Sequence, residues 1–360
     1  SPTARPIRRF EVAHHERGDM PTGDRRVLLV GALGAVVVLA VLFTLVGPTA
    51  VFETLAAADR RLVAVVVGFA LVWLAAWGLM LRAVLASLSV EVPTHTAIVV
   101  YVGAVFANNV TPFGQAGGEP VAALLISKVS DCRYETGLAG IASVDVLNVV
   151  PSLSLVFVGV GYYATTAAVG DRLVTAVTSA VVVIGTVVAV LALAWRYREA
   201  LVDRLPAVIA PIVGRVTRGR SDPDTLEDGL SERLERFFAD VERVGTDRRQ
   251  LSVVVGLSLV GWLAQAAALT AAFAAMGQPI PPHVVVFAIP LANLAGATPL
   301  PGGLGGIEAA YVALLVPTTG VAAATVTAAV LVFRGATYWM PVVLGGVVTA
   351  AFGVSAVRAD

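Results

Sequence analysis

The sequence predicts an all-α, polytopic membrane protein of about six to eight transmembrane helices, with two re-entrant or broken helix pairs arranged as an inverted repeat. Three observations predict it. Hydrophobic residues fill 57% of the 360 positions and charged residues 14%, against roughly 25% charged in soluble domains. Apolar runs of about 20 residues, the length that crosses a hydrocarbon core of roughly 30 Å, recur from end to end. They are continuous rather than alternating, which argues against a β-barrel. Finally, two pairs of apolar runs are too short to span, and each pair encloses a Pro/Gly-rich break. Non-helical backbone at that depth is tolerated only where protein or a wet cavity satisfies it.

In chain order the apolar elements are Val27–Gly47, Leu62–Leu81, Ala97–Val110, Glu119–Lys128, Thr136–Tyr163, Leu173–Trp195, Leu251–Met276, Val284–Leu294, Gly305–Leu315 and Val321–Gly353. Val27–Gly47 is too long for a secretory signal and reads as a permanent first helix. Ala97–Val110 with Glu119–Lys128 forms the first short pair, and Val284–Leu294 with Gly305–Leu315 the second. Val321–Gly353 is long for one untilted span and short for two, with Arg334 near its middle.

The domain organisation follows from the polar stretches. Residues 1–26 form a basic, disordered tail, with Met20 a candidate native start. Residues 27–353 form one membrane domain, 196–250 are a cytoplasmic insertion within it, and 354–360 are a short tail. The tail carries Arg5, Arg8, Arg9, Arg17, Arg25 and Arg26, and the insertion carries eleven more arginines. The positive-inside rule places both in the cytoplasm, with the protein in the cell membrane. Within the insertion, Leu226, Leu230, Leu234, Phe237, Val241 and Val244 recur at helical spacing. Asp222 and Pro223 are start signals and Gly245 a stop, so an amphipathic helix lies on the membrane face or on the bundle.

The two breaks repeat one order of residues. The first reads TPFGQAGGEPVAALL from Thr111 to Leu125, and the second TPLPGGLGGIEAAYVALL from Thr298 to Leu315. Each runs Thr-Pro, a glycine-bearing linker, Gly-Gly, a glutamate and a small-residue helix. An odd number of predicted spans separates them: Thr136–Tyr163, Leu173–Trp195 and Leu251–Met276. The second break should therefore enter from the opposite face, as inverted repeats do when their interrupted helices meet at a substrate site.

Three motifs then carry a resemblance. They are N-x-x-P-x-G-x-x-G-G-E from Asn109 to Glu119, P-x-P-G-G-L-G-G-x-E from Pro299 to Glu308, and R-x-x-T-Y-W-x-P-x-x-x-G from Arg334 to Gly345. Together they resemble the flippase-like family, the membrane part of the lysylphosphatidylglycerol synthases and their stand-alone relatives. The resemblance covers nearly all of Val27–Gly353. It implies movement of a lipid or a lipid-linked saccharide between leaflets, with a glycosyltransferase or lipid synthase as a possible partner. The lysyl-transferring enzymes of that group use a separate soluble domain, so no transferase activity is expected here. A secondary transporter of a small solute or ion, or an accessory protein of lipid or glycan synthesis, are the alternative readings.

Few ionisable residues sit at membrane depth: Glu119, Asp145, Glu308 and Arg334. Each costs roughly 2.5–3.5 kcal/mol near a helix centre on insertion scales, which makes each a functional candidate facing an interior. Glu119 and Glu308 are expected to open their short helices, either as caps or along a translocation path. The Arg334 guanidinium suits a phosphate headgroup, or an ion pair with one of the glutamates. Asp145 and Asn148 lie one turn apart, and either line one cavity or bond a neighbouring helix. Asn109 and Asn293 are placed to satisfy broken backbone or touch a headgroup, as is Asn108. Pro112, Pro299 and Pro301 break the helices. Gly117, Gly118, Gly302, Gly303 and Gly306 permit close backbone approach, and Tyr338 completes the arginine motif. No catalytic residue is expected, no Walker loop or HExxH is present, and PGGLGG lacks the strand and Lys of a phosphate loop. The single Cys132 forms no intrachain disulfide or Cys cluster, and the four histidines lack metal spacing, so no metal or cofactor is expected. The formal charge of zero gives no sign of a nucleic-acid partner.

Overall fold

A computed structural model describes residues 47–111, 115–130, 132–166, 192–204, 223–246, 248–297 and 300–348, with the isolated positions 185 and 189. The helices are α1 (Pro48–Ala56), α2 (Arg60–Ser87), α3 (Thr94–Val110), α4 (Gln115–Ser130), α5 (Tyr134–Thr166), α6 (Pro223–Thr246), α7 (Arg248–Ala275), α8 (Pro282–Leu294) and α9 (Gly306–Thr319). The last, α10, runs from Ala323 to Val348, with a π-helical stretch at Gly335–Trp339. Among the described residues there is no strand. Among the described residues four helices, α2, α5, α7 and α10, are long and apolar enough to cross a membrane. The described part of Val321–Gly353 thus holds one candidate span, Ala323–Val348. The expected first span apart from Gly47, the body of Leu173–Trp195, Pro112, Pro299 and both tails lie outside the described residues.

Local chemistry sets the helix ends. Asp59 caps α2, its carboxylate accepting from the Arg61 N–H at 2.8 Å, the ordinary work of an N-cap aspartate. Thr111 ends α3 with φ −90° and ψ 144°, as the residue before a proline must leave the helical region. Pro282 opens α8, where its missing N–H costs nothing. Gly320 closes α9 in the left-handed region.

α2 and α7 run antiparallel, and three contacts fix their register. The Asp59 N–H donates to the Ala275 carbonyl at 3.0 Å, the Trp77 indole N–H to Ser258 O at 3.3 Å, and Gln250 Nε2 to Ala83 O at 2.7 Å. Trp77 also meets Trp73, Trp262 and Tyr101 edge to face, with centroids 5.6, 5.4 and 6.3 Å away. Gly261 admits this approach, since a Cβ there would stand 2.0 Å from Trp77 Nε1. Small residues let membrane helices approach closely in this way. Trp77→Phe, which keeps most of the ring and deletes the donor, should cost about 1 kcal/mol for the bond plus a packing loss. Thermal unfolding of the purified protein in detergent measures it.

Between these long helices stand two hairpins that do not span. In the first, Arg82 Nε on α2 donates to Val92 O just before α3 at 3.0 Å, so α3 starts where α2 ends. At the far end of α4, Ile126, Val129 and Ser130 share a small apolar gap with Leu85, Val92 and Ala97. α4 thus returns to the end from which α3 entered. The second hairpin, α8 with α9, leaves from the opposite end, because α7 finishes beside Asp59 and α10 then begins against α1. With 17, 16, 13 and 14 residues, these helices reach roughly 20–25 Å at 1.5 Å per residue. The order of long, short, short and long helices in α2–α5 recurs in α7–α10 with the direction reversed. Apolar side chains such as Phe69, Leu71, Phe157, Val158, Val343 and Val347 face outward, as a hydrocarbon surrounding requires.

The insertion helix matches its sequence signals, running from Pro223 to Thr246. Its Val244 is buried, and it packs on α5 and α7. Phe238 stacks edge to face on Trp195 at 6.2 Å.

Candidate functional site

The two breaks meet. At the end of α3, the Asn109 carbonyl accepts from the Tyr338 hydroxyl at 3.1 Å, and Asn109 Nδ2 donates to Tyr338 O at 3.5 Å. Gly302 lies against both. It adopts φ +53°, and a Cβ there would stand 2.4 Å from the Tyr338 ring and 3.0 Å from Asn109 O. Only glycine tolerates this combination of left-handed backbone and contact. Gly303 is held the same way against Gly296, with φ +65° and 2.7 Å from its prospective Cβ to the Gly296 Cα.

Beside this junction sits a buried ion pair. Glu308, the third residue of α9, reaches back to the Gly305 N–H with Oε2 at 2.6 Å. Its Oε1 accepts from Arg334 Nε, also at 2.6 Å. Glu308 thus caps its helix and anchors the arginine. Arg334 Nη2 donates to Gly302 O at 3.3 Å, and its guanidinium carbon lies 4.7 Å from the Tyr338 ring centre, in cation–π range. Glu308 is 2% exposed and Arg334 8%. Nη1 has no hydrogen-bond partner among the described residues.

Glu119 departs from expectation. α4 begins at Gln115, so Glu119 is its fifth residue rather than its first. α4 packs on α5, where Asp145 Oδ2 is buried with no hydrogen-bond partner among the described residues. Gly118 packs on Asn108, where a Cβ would stand 2.4 Å from the Asn108 N. The adjacent asparagines therefore divide, Asn108 lying against α4 and Asn109 against α10.

Other expected residues are placed differently. Asn148 accepts from the Ser258 hydroxyl on α7, so it joins helices rather than lining a cavity with Asp145. Asn293 is exposed near the end of α8. Pro301 opens the short 3₁₀ turn to Gly303, Gly306 is the first residue of α9, and Gly117 lies in the first turn of α4. One relevant residue escaped the sequence reading. Tyr311 is 1% exposed, its hydroxyl has no partner among the described groups, and it stacks on Phe333 at 5.7 Å. Its spacing of one turn from Glu308 was the available signal, but an aromatic on an apolar helix reads as core.

This geometry meets an independent finding. The family model described as "Lysylphosphatidylglycerol synthase TM region" matches residues 27–345. The chain belongs to that family. A UPF0104 membrane protein of Methanothermobacter thermautotrophicus is 27% identical over 328 residues, covering 89% of this chain and 94% of the relative. A second UPF0104 membrane protein of the same organism is 28% identical over 258 residues, or 69% of this chain and 71% of the relative. Glycosyltransferase AglD of Haloferax volcanii is 28% identical over 342 residues, covering 86% of this chain and 52% of AglD. The match spans both breaks and the arginine helix of this family member.

Proposed function

We propose that this protein moves an anionic phospholipid, or a polyprenyl-phosphate-linked sugar, between the leaflets of the cell membrane, as a flippase or scramblase without covalent chemistry of its own. The observation that carries the reading is Arg334. It stands where the two re-entrant hairpins meet, anchored through Nε by Glu308 while Nη1 keeps its N–H groups unengaged among the described residues. A guanidinium held in this way binds a phosphate oxygen without having to be ordered first. Opposed broken helices are the arrangement from which alternating-access sites are built. Membership of a family described by a lipid synthase's membrane region supports a lipid cargo. The alignment with part of a glycosyltransferase supports a lipid-linked sugar and a glycosyltransferase or lipid-synthase partner. The positive-inside arginines support a cytoplasmic N-terminus.

Liposomes containing the protein and one fluorescent lipid at a time provide the test. Fluorescent phosphatidylglycerol, or a labelled polyprenyl-phosphate sugar, should become accessible to an external quencher faster than in protein-free vesicles. Labelled phosphatidylcholine should do so more slowly. If no lipid moves but a small solute is taken up, the transporter reading replaces this one.

A further inference from the structure

The buried ion pair has an unused donor beside it. Tyr311 follows Glu308 by three residues on α9, which puts the two side chains on one face, a turn apart. Long side chains on a helix lean back toward its N-terminus, so the Tyr311 ring is directed toward the turn that carries Glu308. On the facing helix α10 the ring meets Phe333, the residue before Arg334, edge to face at 5.7 Å. Tyr311 is therefore flanked by the glutamate's own turn and by the arginine's neighbour. It is 1% exposed, and its buried hydroxyl has no hydrogen-bond partner among the described residues.

A buried polar group left without a partner costs roughly 1–3 kcal/mol, and phenylalanine would fill the same space without that cost. Packing on Phe333 thus accounts for the ring and not for the hydroxyl. Arg334 is in a similar condition, because Nη1 makes no bond to a described residue. The phenol offers one O–H and Nη1 two N–H, a set of donors suited to the oxygens of an anion. Glu308 limits the charge of that anion. Its carboxylate already meets the guanidinium at 2.6 Å, so the chain supplies no surplus positive charge here. Apart from Arg334, the cationic side chains on the helices packed against α9 and α10 stand near helix ends: His283 on α8, Arg248 and Arg249 on α7, and Arg60, Arg61 and Arg82 on α2. A second negative charge on the ligand would enter a buried site without a counter-charge, which is costly.

We propose that the Tyr311 hydroxyl and Arg334 Nη1 together hold the phosphate of a singly charged phosphodiester lipid, and that doubly charged phosphate headgroups are disfavoured. The movement of that lipid rests on the reading above, whereas its binding does not. Phosphatidylglycerol and a polyprenyl-phosphate sugar both qualify, since each is a diester. Phosphatidic acid and a polyprenyl-diphosphate sugar do not. With Glu308 and Tyr311 only 2% and 1% exposed, the site is closed over in this structure, and the headgroup enters as the hairpins part.

Two measurements test the two parts. Short-chain phosphatidylglycerol should raise the unfolding temperature of the full chain in detergent, and this shift should shrink several-fold in Tyr311→Phe. Without lipid, Tyr311→Phe should unfold at the wild-type temperature or above it. A hydroxyl that serves only the fold would do the reverse, lowering the lipid-free value and leaving the shift intact, and that result overturns the site. Tyr311→Leu tests the shift if Tyr311→Phe fails to fold. Inorganic phosphate should shift the wild type less than phosphatidylglycerol, and an equal shift overturns a lipid as the ligand. In liposomes held well above the second pKa of a phosphate monoester, roughly 6, fluorescent phosphatidylglycerol should move several-fold faster than phosphatidic acid carrying the same label. Phosphatidic acid moving as fast overturns the charge selectivity. Failure of both lipids to move, with a Tyr311-dependent shift in detergent, refutes the movement reading and leaves the binding site standing.

Discussion

Arg334→Ala is expected to reduce lipid movement by at least tenfold and to destabilise the protein by about 3–5 kcal/mol, the usual consequence of removing one partner from a buried ion pair. The stability loss comes from Glu308, which would keep its bond to the Gly305 N–H but lose its counter-charge. A double-mutant cycle separates the two effects. Glu308→Ala alone strands the guanidinium, and it too should destabilise. Combining both substitutions removes both buried charges, so the double variant should be more stable than the sum of the single losses predicts. Lipid movement should not recover with stability, because the phosphate-binding group is gone. If the double variant regains both stability and movement, Arg334 is a structural counter-ion and the substrate assignment is wrong. Unfolding in detergent and quencher accessibility in liposomes supply the two readouts.

The sequence was most informative where physics acts over a long window. Hydropathy located α5 and α7 to within three residues at each end and α2 to within six, because about 20 apolar residues cannot be placed elsewhere. Pro and Gly located both breaks, since their backbone preferences act locally. Pairings across the bundle left weaker traces. Glu119 was expected to open its helix, directly after Gly117 and Gly118. The helix starts at Gln115 all the same, and the close contact of Gly118 with Asn108 indicates that packing overrode propensity there. Which glutamate would meet Arg334 was also open, for both stand beside a break and only the three-dimensional arrangement chooses. The π stretch at Gly335–Trp339 left no recognisable mark in the hydropathy. It follows Arg334 directly and carries Tyr338, so the irregular turn occupies the segment that faces Asn109. A π-bulge adds a residue to the turn and is frequent at functional sites.

Gly302→Ala should be far more damaging than Gly320→Ala, although both glycines are left-handed. Gly302 and Gly320 have similar backbones, with φ of +53° and +69°. A Cβ at Gly320 meets nothing within 4 Å, whereas one at Gly302 would lie 2.4 Å from the Tyr338 ring. Alanine at either position carries the left-handed strain of roughly 1–2 kcal/mol. Only at Gly302 must something also move, and each neighbour there has a function. Shifting Tyr338 breaks its hydroxyl bond to Asn109 and withdraws the ring from Arg334. Shifting Gly302 withdraws the carbonyl that holds Nη2. Gly302→Ala should therefore lose a further 1–3 kcal/mol, the usual cost of overpacking, and slow lipid movement severely, while Gly320→Ala loses stability alone. Equal stability losses in the two variants would mean that the junction yields freely, and the two hairpins would then not be locked together at this point. A large stability loss at Gly302 with normal movement would instead place the translocation path away from the junction. The comparison thus tests the central geometric claim, that Gly302 joins two oppositely directed hairpins and holds Arg334 where they meet.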